Sequence, residues 1–198
     1  MSIKNNQSYN IILTGYGGQG VITLAEILAQ AALAAGLDVK QAELHGLAQR
    51  GGSLECHLRI GEKIFSPLVG RAEADLIIGL ELLETLRACY YADPERTNII
   101  VNHRYWAPDP LRVETKIGEA ILNNLNKFTK NLKLVEAEKL LTENNLNLSI
   151  VNTLMLAVVT KQKVLPVSEE QILTALRAKI KPQFLADNQK IFDLVGKL

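Results

Sequence analysis

Tyr9-Asn10-Ile11-Ile12-Leu13-Thr14-Gly15-Tyr16-Gly17-Gly18-Gln19-Gly20 runs straight into Val21-Ile22-Thr23-Leu24-Ala25-Glu26-Ile27-Leu28-Ala29. A β-branched and aromatic run, a glycine turn and an Ala/Leu-rich run read as strand, turn and helix. That is the context in which G-x-G-x-x-G carries meaning. Gly15 supplies backbone angles that a side chain forbids. Gly17 lets a ligand approach the main chain, and Gly20 lets the helix pack closely on the strand. Free N–H groups at the helix start favour an anion such as a phosphate.

Working outward, the helix is expected over residues 20–35. Val21, Leu24 and Leu28 recur at helical spacing, and Gly36 closes it as a C-terminal cap. Asp38 to Leu44 is a second strand, so a strand–helix–strand unit implies a right-handed crossover and a parallel pair. Glu43 then stands where a dinucleotide fold carries its ribose-binding acid, about 20 residues past the turn. Taken alone, the first turn supports either NAD or FAD binding or a bend that only permits close packing.

A second turn follows: His45-Gly46-Leu47-Ala48-Gln49-Arg50-Gly51-Gly52. An ordinary dinucleotide fold has no need for these residues here. Arg50 beside two glycines offers a guanidinium and exposed backbone N–H groups together, which suits a phosphate or carboxylate. Its alternative role is an ion pair with an acid of this chain or of a partner. His45 has a pKa near neutrality when unperturbed. It lacks a nucleophile or carboxylate at a recognisable spacing, so its expected role is to orient the turn or meet another subunit.

Ser53 to Ile60 alternates Leu54, Cys56, Leu58 and Ile60 with Ser53, Glu55, His57 and Arg59. This is a half-exposed strand of period two, with His57 on the solvated side. Lys63 to Ser66 is expected to return antiparallel as a hairpin. Ala74 to Leu80 reads as a central strand covered on both faces. Glu81 to Tyr90 is helical, with Glu81, Glu84 and Arg87 as a solvated face carrying an i,i+3 pair.

Asn98 to Asn102 is another buried strand. It leads into a loop with the only Trp, where Tyr105-Trp106 either covers a ligand, anchors an interface with His103, or folds over the sheet edge. Further elements are a helix over 116–128, a strand over 132–135 and a short helix over 136–143. The last third is helical, over 148–162, 168–179 and 184–196. Ser168 and Gln171 offer a capping box. The expected fold class is α/β: a Rossmann-like three-layer fold with a mostly parallel sheet, an antiparallel hairpin and a helical C-terminal third. No repeat, linker or domain boundary divides residues 1–198.

Composition narrows the function. Hydrophobic residues make up 47% and charged ones 22% of 198 residues, as in a globular domain. A formal net charge of +1 and scattered Lys and Arg give no field for nucleic acid or anionic lipid. Cys56 and Cys89 form no close pair, so neither a zinc site nor a Cys₄ cluster is expected from this chain, and Cys56 reads as a buried structural thiol. Met1 to Ser8 lacks the apolar core of a signal peptide. The longest apolar run, over 150–159, is interrupted by Asn152 and Thr153 and too short for a bilayer. The chain reads as cytoplasmic, with reduced thiols. There is no Ser/His/Asp set, no metal spacing, no P-loop lysine and no CxxC, so no catalytic or metal residue is assigned.

With both turns in view, the chain resembles the gamma-type subunits of the 2-oxoacid:ferredoxin oxidoreductases. Within them it is most similar to the branch of small (beta) subunits of indolepyruvate ferredoxin oxidoreductases. The residues that carry the resemblance are Gly15 to Gly20, Glu43 to Ser53, Ser66-Pro67-Leu68, Ala74-Asp75, and the tail from Leu165-Pro166 to Lys181-Pro182. The likeness spans nearly the whole chain, and the paired turns are its specific part.

The resemblance implies one pyruvate/ketoisovalerate oxidoreductase gamma-type domain, non-catalytic by itself. The enzyme oxidatively decarboxylates a 2-oxoacid with coenzyme A to acyl-CoA, CO₂ and reduced ferredoxin. Thiamine diphosphate and iron–sulfur clusters belong to a large partner subunit, through which ferredoxin is reached. Coenzyme A is a shared-site ligand. The carry-over places Gly15, Gly17, Gly18, Gln19, Gly20, Gln49, Arg50, Gly51, Gly52 and Ser53 at that interface or pocket. The competing expectation is a self-contained NAD(P)-binding Rossmann dehydrogenase or nucleotide-binding module. A third is a scaffold whose glycines only allow tight packing.

Overall fold

A computed structural model of the chain describes residues 8–48, 51–106 and 115–197. Gln49 and Arg50, both candidate site residues, lie outside the described residues. In chain order the elements are β1 (Tyr9–Tyr16), α1 (Val21–Ala34), β2 (Asp38–His45), β3 (Ser53–Gly61), β4 (Leu76–Gly79), α2 (Leu82–Ala88), β5 (Asn98–Asn102), α3 (Thr115–Leu125), β6 (Asn131–Val135), α4 (Ala137–Glu143), α5 (Val151–Lys161), α6 (Glu169–Lys179) and α7 (Leu185–Val195).

The six strands form one sheet in the order β2-β3-β1-β4-β5-β6. β1, β4, β5 and β6 pair in parallel, while β3 is antiparallel to both β1 and β2. The expected parallel pairing of β1 with β2 is therefore wrong, because β3 stands between them. Burial explains the choice. Leu54, Cys56, Leu58 and Ile60 of β3 are buried on one face and His57 on the other, so β3 needs cover on both faces. No residue of β2 is fully buried, and Lys40 sits mid-strand, as suits a blunted sheet edge. The expected return strand at Lys63–Ser66 is also not formed, since both edges of β3 are taken. That loop is instead pinned by Asp38, whose carboxylate accepts the Ile64 N–H at 2.7 Å, and by Arg59, which donates to the carbonyls of Ser66 and Leu68. The antiparallel hairpin of the fold is β2–β3.

Alternation along the parallel strands sorts the core into two layers. Ile11 and Leu13 of β1, Leu76 and Ile78 of β4, and Ile100 of β5 join one cluster with α1, α4, α5, α6 and α7. Ile12, Ile77, Ile99 and Val101 face the other way onto α2 and α3. The result is the expected three-layer α/β fold, with the helical last third stacked on the face that α1 begins. Residues 153–160 of α5 are all buried, as befits a helix packed against sheet and helices at once.

Local signals behave as read. The Ser168 side chain accepts the Gln171 N–H and Gln171 reciprocates, completing the capping box of α6. Gly36 takes φ 77°, its N–H bonding Leu33 O while that of Leu37 bonds Ala32 O, the paired bonds of a Schellman cap on α1.

Candidate functional site

The C-terminal ends of β1, β4 and β5 open onto one edge of the sheet. Here β1 has an antiparallel neighbour on one side and a parallel one on the other. Open α/β sheets bind ligands beyond the carboxyl ends of their strands, where the chain order switches.

The two glycine turns are brought together at this edge by their own backbones. Gly17 donates its N–H to Gly52 O at 2.9 Å, and Gly51 donates to Gly17 O at 3.1 Å. This pair continues the β1–β3 ladder, in which Tyr16 stands opposite Ser53. Of the candidates, Gly15, Gly17, Gly18, Gln19, Gly20, Gly51, Gly52 and Ser53 thus cluster around one junction.

The first turn is filled from within. The Gln19 side-chain oxygen accepts the Tyr16 N–H at 2.7 Å, and the Gln19 N–H closes on Tyr16 O at 3.1 Å. That oxygen lies 2.6 Å from where a Cβ on Gly15 would stand, so Gly15 serves for space within the β1 ladder and not, as expected, for special backbone angles. Gly20 caps α1 with φ 86°, and a Cβ there would meet the Asn152 amide nitrogen at 2.4 Å. Gly20 therefore grants close approach to α5, not to a strand as expected. Glu43 fares no better as a ribose acid. With β3 interposed, β2 lies two strand spacings, about 10 Å, from β1, and the Glu43 carboxylate accepts from Gln41 at 3.1 Å. These features oppose a dinucleotide in the usual pose.

What remains open are two clefts with the first turn as the partition. One, of about 280 Å³, lies between Gly17 and Ile22 on one side and His45, Ala48, Gly52 and Ser53 on the other. The second, of about 340 Å³, is walled by Gly18, Gln19, Arg104, Trp106, Glu138 and Ser149. His45 is exposed, with Nδ1 2.9 Å from Gly46 O, and among the described residues it has no carboxylate partner. Leu47 at the hairpin tip is wholly exposed at 105%.

Exposed Arg104 and Trp106 rim the second cleft, with half-buried Tyr16 packed behind the indole. The Arg104 guanidinium sits 5.4 Å over the indole and also bonds Glu138 at 3.1 Å. Tyr16 meets the indole edge-on at 5.9 Å. Arg, Trp and Tyr are the residue types enriched at interface hot spots. Tyr105 packs inward on the α2–α3 cluster, so only Trp106 of the pair faces outward. His103 lies 3.7 Å from Glu136.

Two expectations about polar residues are corrected here. His57 is 1% exposed, not solvated: Nδ1 accepts the Val69 N–H at 3.0 Å, Nε2 contacts Glu55 at 2.9 Å, and Tyr91 stacks edge-on. The polar face of β3 is roofed by the Lys63–Gly70 loop and Tyr91, which a single strand's alternation does not reveal. Glu81 and Glu84 are likewise buried, at 0% and 1%, not a solvated face. Glu81 caps α2 by accepting the Glu84 N–H at 2.8 Å and holds the aromatic loop by accepting the Trp106 N–H at 3.0 Å. Burial pushes the Glu81 carboxyl up from its ordinary value, against the pull of those two N–H groups. Glu84 does form the i,i+3 pair with Arg87, at 2.6 Å, and also accepts the Ser53 hydroxyl at 2.5 Å. These two carboxylates are the site residues that sequence reasoning missed. Their signal was position: Glu-x-x-Glu directly after an apolar strand is a helix start.

Burial pushes the Tyr16 phenol up to about 12, helped by Glu81 and Glu84 nearby, so it stays protonated. Cys56 and Cys89 are buried in separate clusters, and burial pushes both thiols up to about 12. Neither supplies a thiolate at neutral pH.

The family model described as "Pyruvate ferredoxin/flavodoxin oxidoreductase" matches residues 10–197. The chain is 32% identical to the indolepyruvate oxidoreductase subunit IorB of Thermococcus kodakarensis, over 95% of this chain and 94% of that one. It is 35% identical to the subunit of the same name from Archaeoglobus fulgidus, over 91% and 90%. Its fold resembles the keto/oxoacid ferredoxin oxidoreductase gamma subunit of Geobacter sulfurreducens, with a TM-score of 0.66 over 94% of this chain and 95% of that one at 17% identity. It also resembles part of the 2-oxoglutarate:ferredoxin oxidoreductase of Magnetococcus marinus, solved with 2-oxoglutarate, coenzyme A and succinyl-CoA bound. The TM-score there is 0.72 at 17% identity, over 98% of this chain and 32% of that one. The match runs from the first strand to the last helix, across both glycine turns, and the chain belongs to the pyruvate ferredoxin/flavodoxin oxidoreductase family.

Proposed function

We propose that this chain, one gamma-type domain over its length, is the small non-catalytic subunit of an indolepyruvate-type 2-oxoacid:ferredoxin oxidoreductase. The observation that carries the reading is the end-to-end match to IorB subunits, 32% identical over 95% of the chain. In this role the large partner subunit holds thiamine diphosphate and the iron–sulfur clusters and passes electrons to ferredoxin. It converts a 2-oxoacid and coenzyme A to acyl-CoA and CO₂. This chain supplies a wall. The coupled turns, Gly15 to Gly20 and Gln49 to Ser53, face the partner and the coenzyme A side of the reaction.

The chemistry of the edge supports that assignment. The cleft beside Gly17 and Gly52 offers main-chain groups, the apolar side chains of Ile22, Ala48 and Leu54, and the His45 imidazole at its edge, a lining that suits a pantetheine arm with its amides and apolar links. The exposed Arg104, Trp106 and Leu47 suit a protein surface or an adenine nucleotide end. No helix among the described residues is long and apolar enough to cross a membrane. The reading places the protein in the cytoplasm, with no role for nucleic acid.

Co-expression with the large subunit tests it. The two chains are expected to co-purify, and the complex to reduce ferredoxin in a manner that depends on 2-oxoacid and coenzyme A. The isolated chain is expected to give no heat of binding with NAD(H) or NADP(H), since Gln19 occupies the turn. A chain that stays alone at micromolar concentration and binds a nicotinamide cofactor tightly overturns the reading.

A further inference from the structure

We propose that the buried carboxylate of Glu84 is a positioning residue, which sets the spacing of the two glycine turns and so the width of the coenzyme A cleft. The proposal rests on the reading above and adds to it a residue from outside the glycine motifs.

Ser53 points two ways. Its hydroxyl lies on the α2 side of the sheet, 2.5 Å from Glu84 Oε2. The residue itself, with Gly52 before it, walls the 280 Å³ cleft, whose other residues, Ile22 among them, are on the α1 side. Glu84 thus acts on the cleft from behind, through Ser53. Ser53 also stands opposite Tyr16 in the β1–β3 ladder. Fixing Ser53 therefore fixes where the second turn enters β3, relative to where the first turn leaves β1.

Glu84 is itself held rigidly. Its N–H is bound by Glu81 at 2.8 Å, and its second carboxylate oxygen accepts from Arg87 at 2.6 Å. The side chain is 1% exposed, while that of Arg87 is 60% exposed. The carboxylate thus meets the surface through the two groups it binds, the Arg87 guanidinium and the Ser53 hydroxyl. Charge-assisted hydrogen bonds of this kind are short and directional, and leaving one partner buried and unmatched is costly. A glutamine in its place must give its single oxygen to Arg87 and turn its amide on Ser53, reversing the direction of that bond. A pure packing role for Glu84 predicts the same small effect on every substrate. A positioning role predicts an effect confined to the ligand that the turns enclose.

The test uses the complex reconstituted with the large subunit, comparing wild type with Glu84→Gln, Ser53→Ala and Ser53→Thr. Glu84→Gln and Ser53→Ala are expected to raise KM for coenzyme A about tenfold, the equivalent of one good hydrogen bond, and to shift KM for the 2-oxoacid by less than about twofold. Ser53→Thr keeps the hydroxyl and is expected to return KM for coenzyme A to near the wild-type value. An unmoved KM for coenzyme A in both variants, or equal rises for both substrates, overturns the proposal. If Glu84→Gln fails to fold, the Ser53 pair decides alone, since both Ser53 variants keep the Glu84 carboxylate and its Arg87 partner in place. A wild-type complex whose turnover is independent of coenzyme A overturns the reading beneath the proposal, an outcome distinct from a coenzyme A-dependent wild type with unmoved variants.

Discussion

Gly79→Ala is expected to destabilise the protein more than any substitution in the glycine turns, by about 3 kcal/mol, the upper end of overpacking costs. Gly79 ends β4, directly under α2. A Cβ there would stand 1.7 Å from Thr85 Oγ1 and 2.8 Å from Thr85 Cβ. Thr85 cannot step aside. It is β-branched and fully buried, and its hydroxyl donates to Glu81 O at 2.6 Å. The methyl must therefore push α2 off the sheet, carrying Glu81 and Glu84 with it. For a domain of this size the loss corresponds to a fall of roughly 6–12 °C in Tm, measured by thermal unfolding of the isolated chain. Thr85→Ala in the same chain removes the closest clashing atom, Oγ1, and leaves the milder contact with Cβ, so the double variant is expected to lose less than the sum of the two single changes. A Tm within about 2 °C of wild type for Gly79→Ala, on the same scale, contradicts the close β4–α2 approach.

Gly52→Ala is expected to do the reverse, sparing stability and damaging function. An added Cβ would lie 2.6 Å from the Ala48 carbonyl oxygen and 3.0 Å from Ala48 Cβ. A backbone oxygen is not a movable side-chain tip, so the hairpin loop must shift. Gly52 O is also the acceptor for Gly17, which ties the shift to the first turn. Gly46, Leu47 and Ala48 are exposed, so relaxation costs little, with a ΔTm of about 3 °C or less. In the reconstituted complex, however, kcat/KM for coenzyme A is expected to fall by about tenfold or more, because misplacement by an ångström is expensive where groups are pre-aligned. Normal coenzyme A kinetics with Gly52→Ala would remove the coupled turns from the ligand's path.

Much of this architecture is legible in the sequence, for local reasons. The strand of residues 98–102, the capping box at Ser168 and the Gly36 cap depend on residues within a few positions of one another. Strand order does not. The alternating pattern of Ser53 to Ile60 says that one face is apolar, but not that the strand will slip between β1 and β2. That is decided by how little apolar surface β2 offers beside it. The site divides in the same way. Glycines announce a turn because some of them, Gly18, Gly20 and Gly51 here, take left-handed backbone angles that side chains disfavour. Glu81, Glu84 and His57 look like solvent-facing residues because their partners, Trp106, Ser53 and Val69, are brought to them only by the fold. Gln19 is the intermediate case: it sits inside a recognised motif, and its side-chain oxygen takes up the Tyr16 N–H from within the turn, which the spacing of the glycines does not announce.

Backbone hydrogen exchange, compared between the isolated chain and the complex with its large subunit in the presence of coenzyme A, tests the central claim most directly. Slowed exchange is expected for amides of residues 17–22 and 51–54 and for the loop at Arg104–Trp106, with the free edge of β6 unchanged. If those amides exchange as fast in the complex as in the free chain, while protection falls on β6 or on α6 and α7, the glycine turns meet nothing from outside and the account is wrong.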